Sequence, residues 1–174
     1  MAWQSEPMTM SIRPASEADL SQIQAIYAHH VVTGTGTFEI DPPDAVEMAA
    51  RMAKVAAYKL PYLVSIDARD AVTGYAYAAP FRERAAYDGT VEDSIYVAKG
   101  AIGQGLGRAL LKALVEACRQ GGIREMLAVI GDSENHASIG LHRSLGFLEV
   151  GTLASVGFKF GQYLDVVILQ KSLR

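Results

Sequence analysis

An α+β domain built on one mixed sheet is the fold class that the sequence predicts, and three observations predict it. The 174 residues are half apolar and one fifth charged, an ordinary globular balance with enough chain for one sizeable core. Strand-like runs crowd the middle of the chain, two of them on either side of a tight turn, and a strand–loop–helix unit follows later. No repeat, linker or low-complexity segment divides the sequence, so residues 11–174 read as one domain behind a loose leader at 1–10.

In order, Ser11–Arg13 is a short strand. Ser16 and Asp19 form a capping-box-like start, and Leu20, Ile23, Ile26 and Tyr27 follow at helical spacing until His29 and His30 close the helix. Adjacent histidines point about 100° apart on a helix, so they read as solvated last-turn residues and no metal site is expected. Thr33–Thr37 alternates Thr and Gly and suits a loop or an irregular strand. Pro42 and Pro43 open a second helix carrying Val46, Met48, Met52 and Val55. Tyr62–Ile66 and Val72–Ala79 form an antiparallel hairpin around Asp67–Asp70. Pro80–Gly89 is a polar loop and Thr90–Val97 a strand. Gly100–Gly107 is a glycine-rich loop entering a helix over Leu106–Ala117. Glu125–Ile130 is a strand, and Asn135–Leu145 a helix with Gly146 as its left-handed cap. Phe147–Leu153 and Tyr163–Gln170 are the last strands, joined by Ala154–Gln162.

Composition excludes several classes. The net charge is −3 and no Lys/Arg cluster stands out, which argues against a nucleic-acid surface. No apolar run approaches the ~20 residues that span a bilayer. The first residues lack the basic and apolar stretches of a signal peptide. A single cysteine, Cys118, rules out an internal disulfide and fits a reducing, cytoplasmic compartment. It lies in an apolar helical run and reads as a core thiol.

The strongest chemical signal is the run Val97-Ala98-Lys99-Gly100-Ala101-Ile102-Gly103-Gln104-Gly105-Leu106-Gly107-Arg108. Alternate glycines let the backbone bring several N–H groups to one anion, and the helix start adds partial positive charge. A pyrophosphate is the natural guest. A P-loop would need Gly-Lys-Ser/Thr, and a dinucleotide fingerprint would need G-x-G-x-x-G in an early βα turn; both are missing.

With Arg108-Ala109-Leu110-Leu111 behind it, the segment Gly103–Gly107 resembles the acetyl-CoA loop of the GNAT acetyltransferases. Asn135–His142 and Leu145-Gly146-Phe147 resemble their second CoA-contacting segment. Thr90–Val97 and Gly157-Phe158-Lys159-Phe160-Gly161 are similar to motifs of the phosphinothricin and methionine sulfoximine N-acetyltransferases within that superfamily. The resemblance covers nearly everything from Ser11 onward. It implies a single GNAT fold with a mostly antiparallel central sheet flanked by helices. One departure is Ile102, which stands where relatives usually carry Gln or Arg. A polar cofactor contact is expected to be lost there.

The resemblance also implies roles. Acetyl-CoA would lie on the backbone of Ile95, Tyr96 and Val97 and on Gly103, Gln104, Gly105, Leu106, Gly107 and Arg108. Asn135 and Ser138 would touch the pantetheine arm, although Asn135 is equally a good N-cap. An amine at neutral pH is mostly ammonium and must lose a proton before it attacks. Glu92 is the expected base, and Asp93, on the opposite strand face, the weaker candidate. His142 is either the proton donor to the leaving thiolate or a packed helix residue. Phe38, Arg82, Glu83, Arg84, Thr90, Asp93 and Ser94 are the expected acceptor contacts. Arginine suits a carboxylate or tetrahedral oxyanion because it binds in a bidentate way. The acceptor would be the α-amine of a small amino-acid analogue, acetylated by direct transfer. Other amines, such as a peptide N-terminus or a polyamine, and a CoA sensor without catalysis stay open. A homodimer is expected from the aromatic residues of Gly157–Gly161.

Overall fold

The computed structural model describes residues 10–174, so the expected leader lies outside the described residues but for Met10. Seven strands form one sheet in the order β1-β2-β3-β4-β5-β7-β6. They are β1 (Ser11–Pro14), β2 (Tyr62–Ile66), β3 (Val72–Pro80), β4 (Thr90–Val97), β5 (Glu125–Gly131), β6 (Leu148–Lys159) and β7 (Gln162–Ser172). Every neighbouring pair is antiparallel except β4 with β5. Helices α1 (Leu20–Thr33) and α2 (Ala45–Ala57) cover one face, and α3 (Leu106–Gln120) and α4 (His136–Ser144) lie on the other.

Each face has its own core. Ile23, Tyr27 and Val31 of α1 meet Met48 of α2 and Val64 and Tyr75 of the sheet. Leu110, Leu111, Leu114 and Cys118 of α3 meet Met126, Ala128, Leu169 and Phe147. The Cys118 thiol is fully buried, and burial, then the charge of Asp93, push its pKa up to about 12. It is therefore an inert core thiol at neutral pH.

Most element starts follow from local chemistry. The capping box at Ser16 and Asp19 forms, preceding α1 with a short 3₁₀ turn. Arg13 grips Asp19 with two bonds of 2.8 Å and holds its carboxyl down to about 2. Helix α1 runs three residues beyond His30, because Val31 is drawn into the core. Helix α2 starts after the prolines: Asp44 is the cap, accepting from the Glu47 N–H at 2.8 Å. Gly146 takes φ +84° as expected.

The connection expected at Ala154–Gln162 is instead a long hairpin. Strand β6 continues to Lys159 and turns at Phe160 and Gly161, both with positive φ. Two register shifts bend it, and at the second the Ser155 N–H bonds to the Asp165 carboxylate at 2.8 Å.

Candidate active site

The parallel pairing of β4 with β5 lasts only from Thr90 to Glu92, opposite Glu125 to Leu127. Beyond that point the strands part, and a cavity of about 690 Å³ opens between them. Its walls come from β4, β5, the start of α4 and the segment Gly34–Phe38 after α1. The Ala98 N–H donates to Thr73 and the Phe81 N–H to Thr90, so the even-numbered residues of β4 turn their backbone toward β3. The N–H groups of Ile95 and Val97 consequently face the cleft, whereas that of Tyr96 does not. The Val97 carbonyl is already taken, accepting from His30 Nε2 at 2.9 Å.

Side chains alternate the other way. Glu92, Ser94 and Tyr96 lie opposite Ala79, Tyr77 and Tyr75 of β3, on the α1–α2 face. The Tyr96 ring stacks edge-on against Tyr27 at 4.9 Å and tilts against His30 at 5.4 Å. Glu92 is half-buried in the cavity wall. Burial lifts its pKa above the usual carboxylate range, the Asp93 charge adds to the lift, and Arg82 opposes it.

Asp93 points to the opposite face and is buried against α4. Its Oδ2 lies 3.0 Å from His142 Nε2, while His142 Nδ1 lies 2.7 Å from the Ser138 carbonyl. A carbonyl can only accept, so Nδ1 carries a proton. Burial alone would lower the imidazole pKa; the bond to Asp93 and its charge outweigh burial and raise it. Both ring nitrogens are engaged, so His142, which also lines the cavity, ties α4 to β4. Asp93 Oδ1 is the buried side-chain oxygen left without a partner among the described residues.

On the loop side, Gly103 and Gly105 take φ +84° and +78°, and a Cβ at either would meet nothing within 4 Å. Gly105 caps α3 and has no side chain to satisfy the first-turn N–H groups. Those donors and the positive end of α3 make an anion seat beside the cleft, which fits a CoA pyrophosphate. Gly107, Ile102, Asn135 and Ser138 reach the cavity. Asn135 also caps α4, accepting from the Ser138 N–H at 3.2 Å. Leu106 is core, Gln104 bonds back to the Gly100 carbonyl at 3.3 Å, and Arg108 spans to Ser144 of α4. Ile102 is 61% exposed and offers no polar contact, as its chemistry dictates.

Comparison with known proteins identifies the family. The acetyltransferase (GNAT) domain family matches residues 12–168. The chain belongs to the GNAT acetyltransferases. Acetyl-CoA-dependent N-acetyl transfer, the enzyme class expected from the sequence, is the chemistry of this family. A phosphinothricin N-acetyltransferase of Alcaligenes faecalis is 52% identical over 94% of this chain and 82% of its own. An L-methionine sulfoximine/L-methionine sulfone acetyltransferase of Pseudomonas aeruginosa is 43% identical, over 95% and 96% of the two chains. The crystal structure of a Sinorhizobium meliloti phosphinothricin acetyltransferase in complex with acetyl-CoA superposes with a TM-score of 0.92. It is 45% identical and covers 95% of this chain and 89% of that one.

The acceptor side of this GNAT acetyltransferase is less collected than the sequence suggested. Phe38, Glu92, Asp93 and Ser94 line the cavity, whereas Arg82, Glu83, Arg84 and Thr90 do not. Thr90 sits at the closed end, paired with Glu125. Glu83 is committed to Lys54 of α2 at 2.7 Å. Arg82 lies over the Phe81 ring at 5.1 Å and Arg84 is exposed. Of these, only Arg82 makes its charge felt at Glu92. His30 and Asp132 line the cavity unforeseen. A helical period could place His30 on the face of Tyr27, but only the sheet shows that Val97 meets it. Among the described residues, no group of three His, Cys, Asp or Glu could hold a metal ion, and no helix is long and apolar enough to cross a membrane.

Proposed function

We propose that this acetyltransferase moves acetyl from acetyl-CoA directly to the α-amine of a small amino-acid analogue bearing oxygens on a tetrahedral phosphorus or sulfur. The observation that carries the reading is Glu92, a half-buried carboxylate in the wall where β4 and β5 part, three residues before Ile95 with its cleft-facing N–H. Glu92 accepts the ammonium proton. The N–H of Ile95 or Val97 stabilises the carbonyl oxygen as it gains charge. The anion seat of Gly103–Gly107 holds the pyrophosphate, and Asn135 and Ser138 flank the pantetheine arm. With His142 committed to Asp93 and Ser138, the leaving thiolate takes its proton from solvent or from the nitrogen of the tetrahedral intermediate, which must shed one as the amide forms. Phe38 walls the acceptor side chain, and Arg82, whose charge reaches Glu92, supplies cationic charge for the oxygens of the acceptor. The names of the relatives support the acceptor class.

The test is an acceptor screen with acetyl-CoA read by thiol release. Phosphinothricin, methionine sulfoximine and methionine sulfone are expected to be acetylated well. Glutamate and methionine are expected to be poorer, since they leave oxygen-seeking groups unpaired. If only a polyamine or a peptide N-terminus reacts, the acceptor class is wrong while acetyl transfer stands.

Edge strand β6 supports a homodimer. Leu148, Val150, Leu153, Val156, Phe158, Phe160 and Tyr163 are all exposed along the β6–β7 hairpin, more apolar surface than a lone edge strand ordinarily shows to water. Light scattering at micromolar concentration is expected to give twice the chain mass. A fully active monomer would overturn the dimer.

A further inference from the structure

We propose that Lys159 is a positioning residue for the acceptor: from β6 it fixes the segment Gly34–Phe38, and with it the Phe38 ring that sets which acceptors fit. The proposal rests on the acceptor reading above. Lys159 is only 2% exposed, between two exposed aromatics. Its ammonium donates to the carbonyls of Gly34 and Thr37, each at 2.8 Å, more than a hundred residues away in sequence. It forms no ion pair among the described residues, although the charge of Glu39 reaches it and the Phe160 ring lies 5.0 Å away. A buried cation held by two carbonyls costs stability that a methionine would not. What the cation contributes is a fixed wall, because Gly34 and Thr37, whose carbonyls it holds, line the cavity together with Phe38.

The wall is tight at its far end. The Phe38 ring lies in a slot floored by Gly131 of β5 and Gly157 of β6. A Cβ at Gly131 would stand 2.7 Å from Phe38 Cε1 and 2.6 Å from the Thr35 carbonyl oxygen, and one at Gly157 would overlap the ring more deeply. Two strands thus lack side chains where the ring passes, so the ring has one seat. Tyr27 holds the Thr37 hydroxyl at 2.9 Å and Asp132 holds the Thr35 hydroxyl at 2.7 Å, leaving Lys159 to fix the carbonyl side of the same turn.

Lys159→Met and Gly157→Ala in the full chain test this by steady-state kinetics with both substrates. Lys159→Met is expected to raise the acceptor KM about tenfold, the low end of what a pocket contact is worth. The KM for acetyl-CoA should stay within about twofold, kcat should change little, and the preference for methionine sulfoximine over methionine should shrink. Gly157→Ala keeps the ammonium and displaces the ring, and should give the same acceptor-only rise. Lys159→Arg, which keeps a buried donor, should recover part of the affinity. An unchanged acceptor KM overturns the proposal, as does a parallel rise in both KM values with a fall in Tm, the mark of a purely structural lysine. If Lys159→Met does not fold, Gly157→Ala decides alone: a wild-type acceptor KM there overturns the proposal. If the parent enzyme acetylates none of the oxygenated analogues, the acceptor class falls first, and the same KM split is read on whichever amine it does acetylate.

Discussion

Glu92→Gln is expected to slow acetyl transfer by ~10²–10⁴ at neutral pH, the usual worth of general-base assistance. The amide keeps the shape and hydrogen-bonding reach of the side chain but cannot accept a proton. Because burial, then the Asp93 charge, lift the Glu92 pKa, the base protonates at higher pH than a free glutamate would. The parent's kcat/KM should therefore fall on the acid side earlier than for an ordinary carboxylate, and the variant should lose that limb. Its deficit should shrink as pH rises and free amine accumulates. The stability sign runs the other way. A carboxyl whose pKa is raised by folding stabilises the fold while protonated, and that contribution is lost as pH rises through the folded value. At neutral pH the ionised Glu92 is thus a cost, and Glu92→Gln should melt no lower than the parent. Full activity near pH 7 would assign the base elsewhere.

Gly105→Val should raise the Kd for CoA at least about tenfold, a loss of about 1.4 kcal/mol. Gly105 sits at φ +78°, the left-handed region that a β-branched residue avoids. Strain there is of order 1–3 kcal/mol. A Cβ would meet no protein atom within 4 Å, so the damage falls on the loop's path and on what the loop holds, not on the core. Calorimetry with CoA should show the weakening while the far-UV spectrum stays that of the parent. Parent-like affinity in Gly105→Val would move the pyrophosphate away from this loop.

Strong local signals were the ones the sequence disclosed. The α3 start, the Gly146 cap and strand β4 stand where residue pattern put them, because glycine and strand alternation act on a few neighbours. The alternation of β4 also placed Glu92 and Asp93 on opposite faces correctly. Strand β6 escaped beyond Leu153 because nearly every residue in it is exposed, so no buried–exposed period marks it. The prolines at 42 and 43 drew the α2 start two to three residues early, although Asp44 with Glu47 three residues on is itself a helix-start pattern, and Asp44 is the cap. Lys159 stood in the sequence only as the middle residue of the Gly157–Gly161 motif. Its two carbonyl partners lie across the fold, and no local rule reaches that far. The resemblance put Arg82, Glu83 and Arg84 at the acceptor, and the pairing of Glu83 with Lys54 of α2 was not legible because no local rule links the two positions.

The early parting of β4 and β5 gives this sheet an interior edge. Ordinarily an unpaired edge invites another chain, but this one is walled by the start of α4 and by residues 34–38. The guest that fits is slender, extended and amide-bearing, as the pantetheine arm is. On the proposed placement the co-substrate stands in for a missing strand, and its binding free energy becomes stability of the folded protein. At a hundred times Kd that amounts to about 2.7 kcal/mol, enough to make a loaded enzyme measurably more heat-resistant than an empty one.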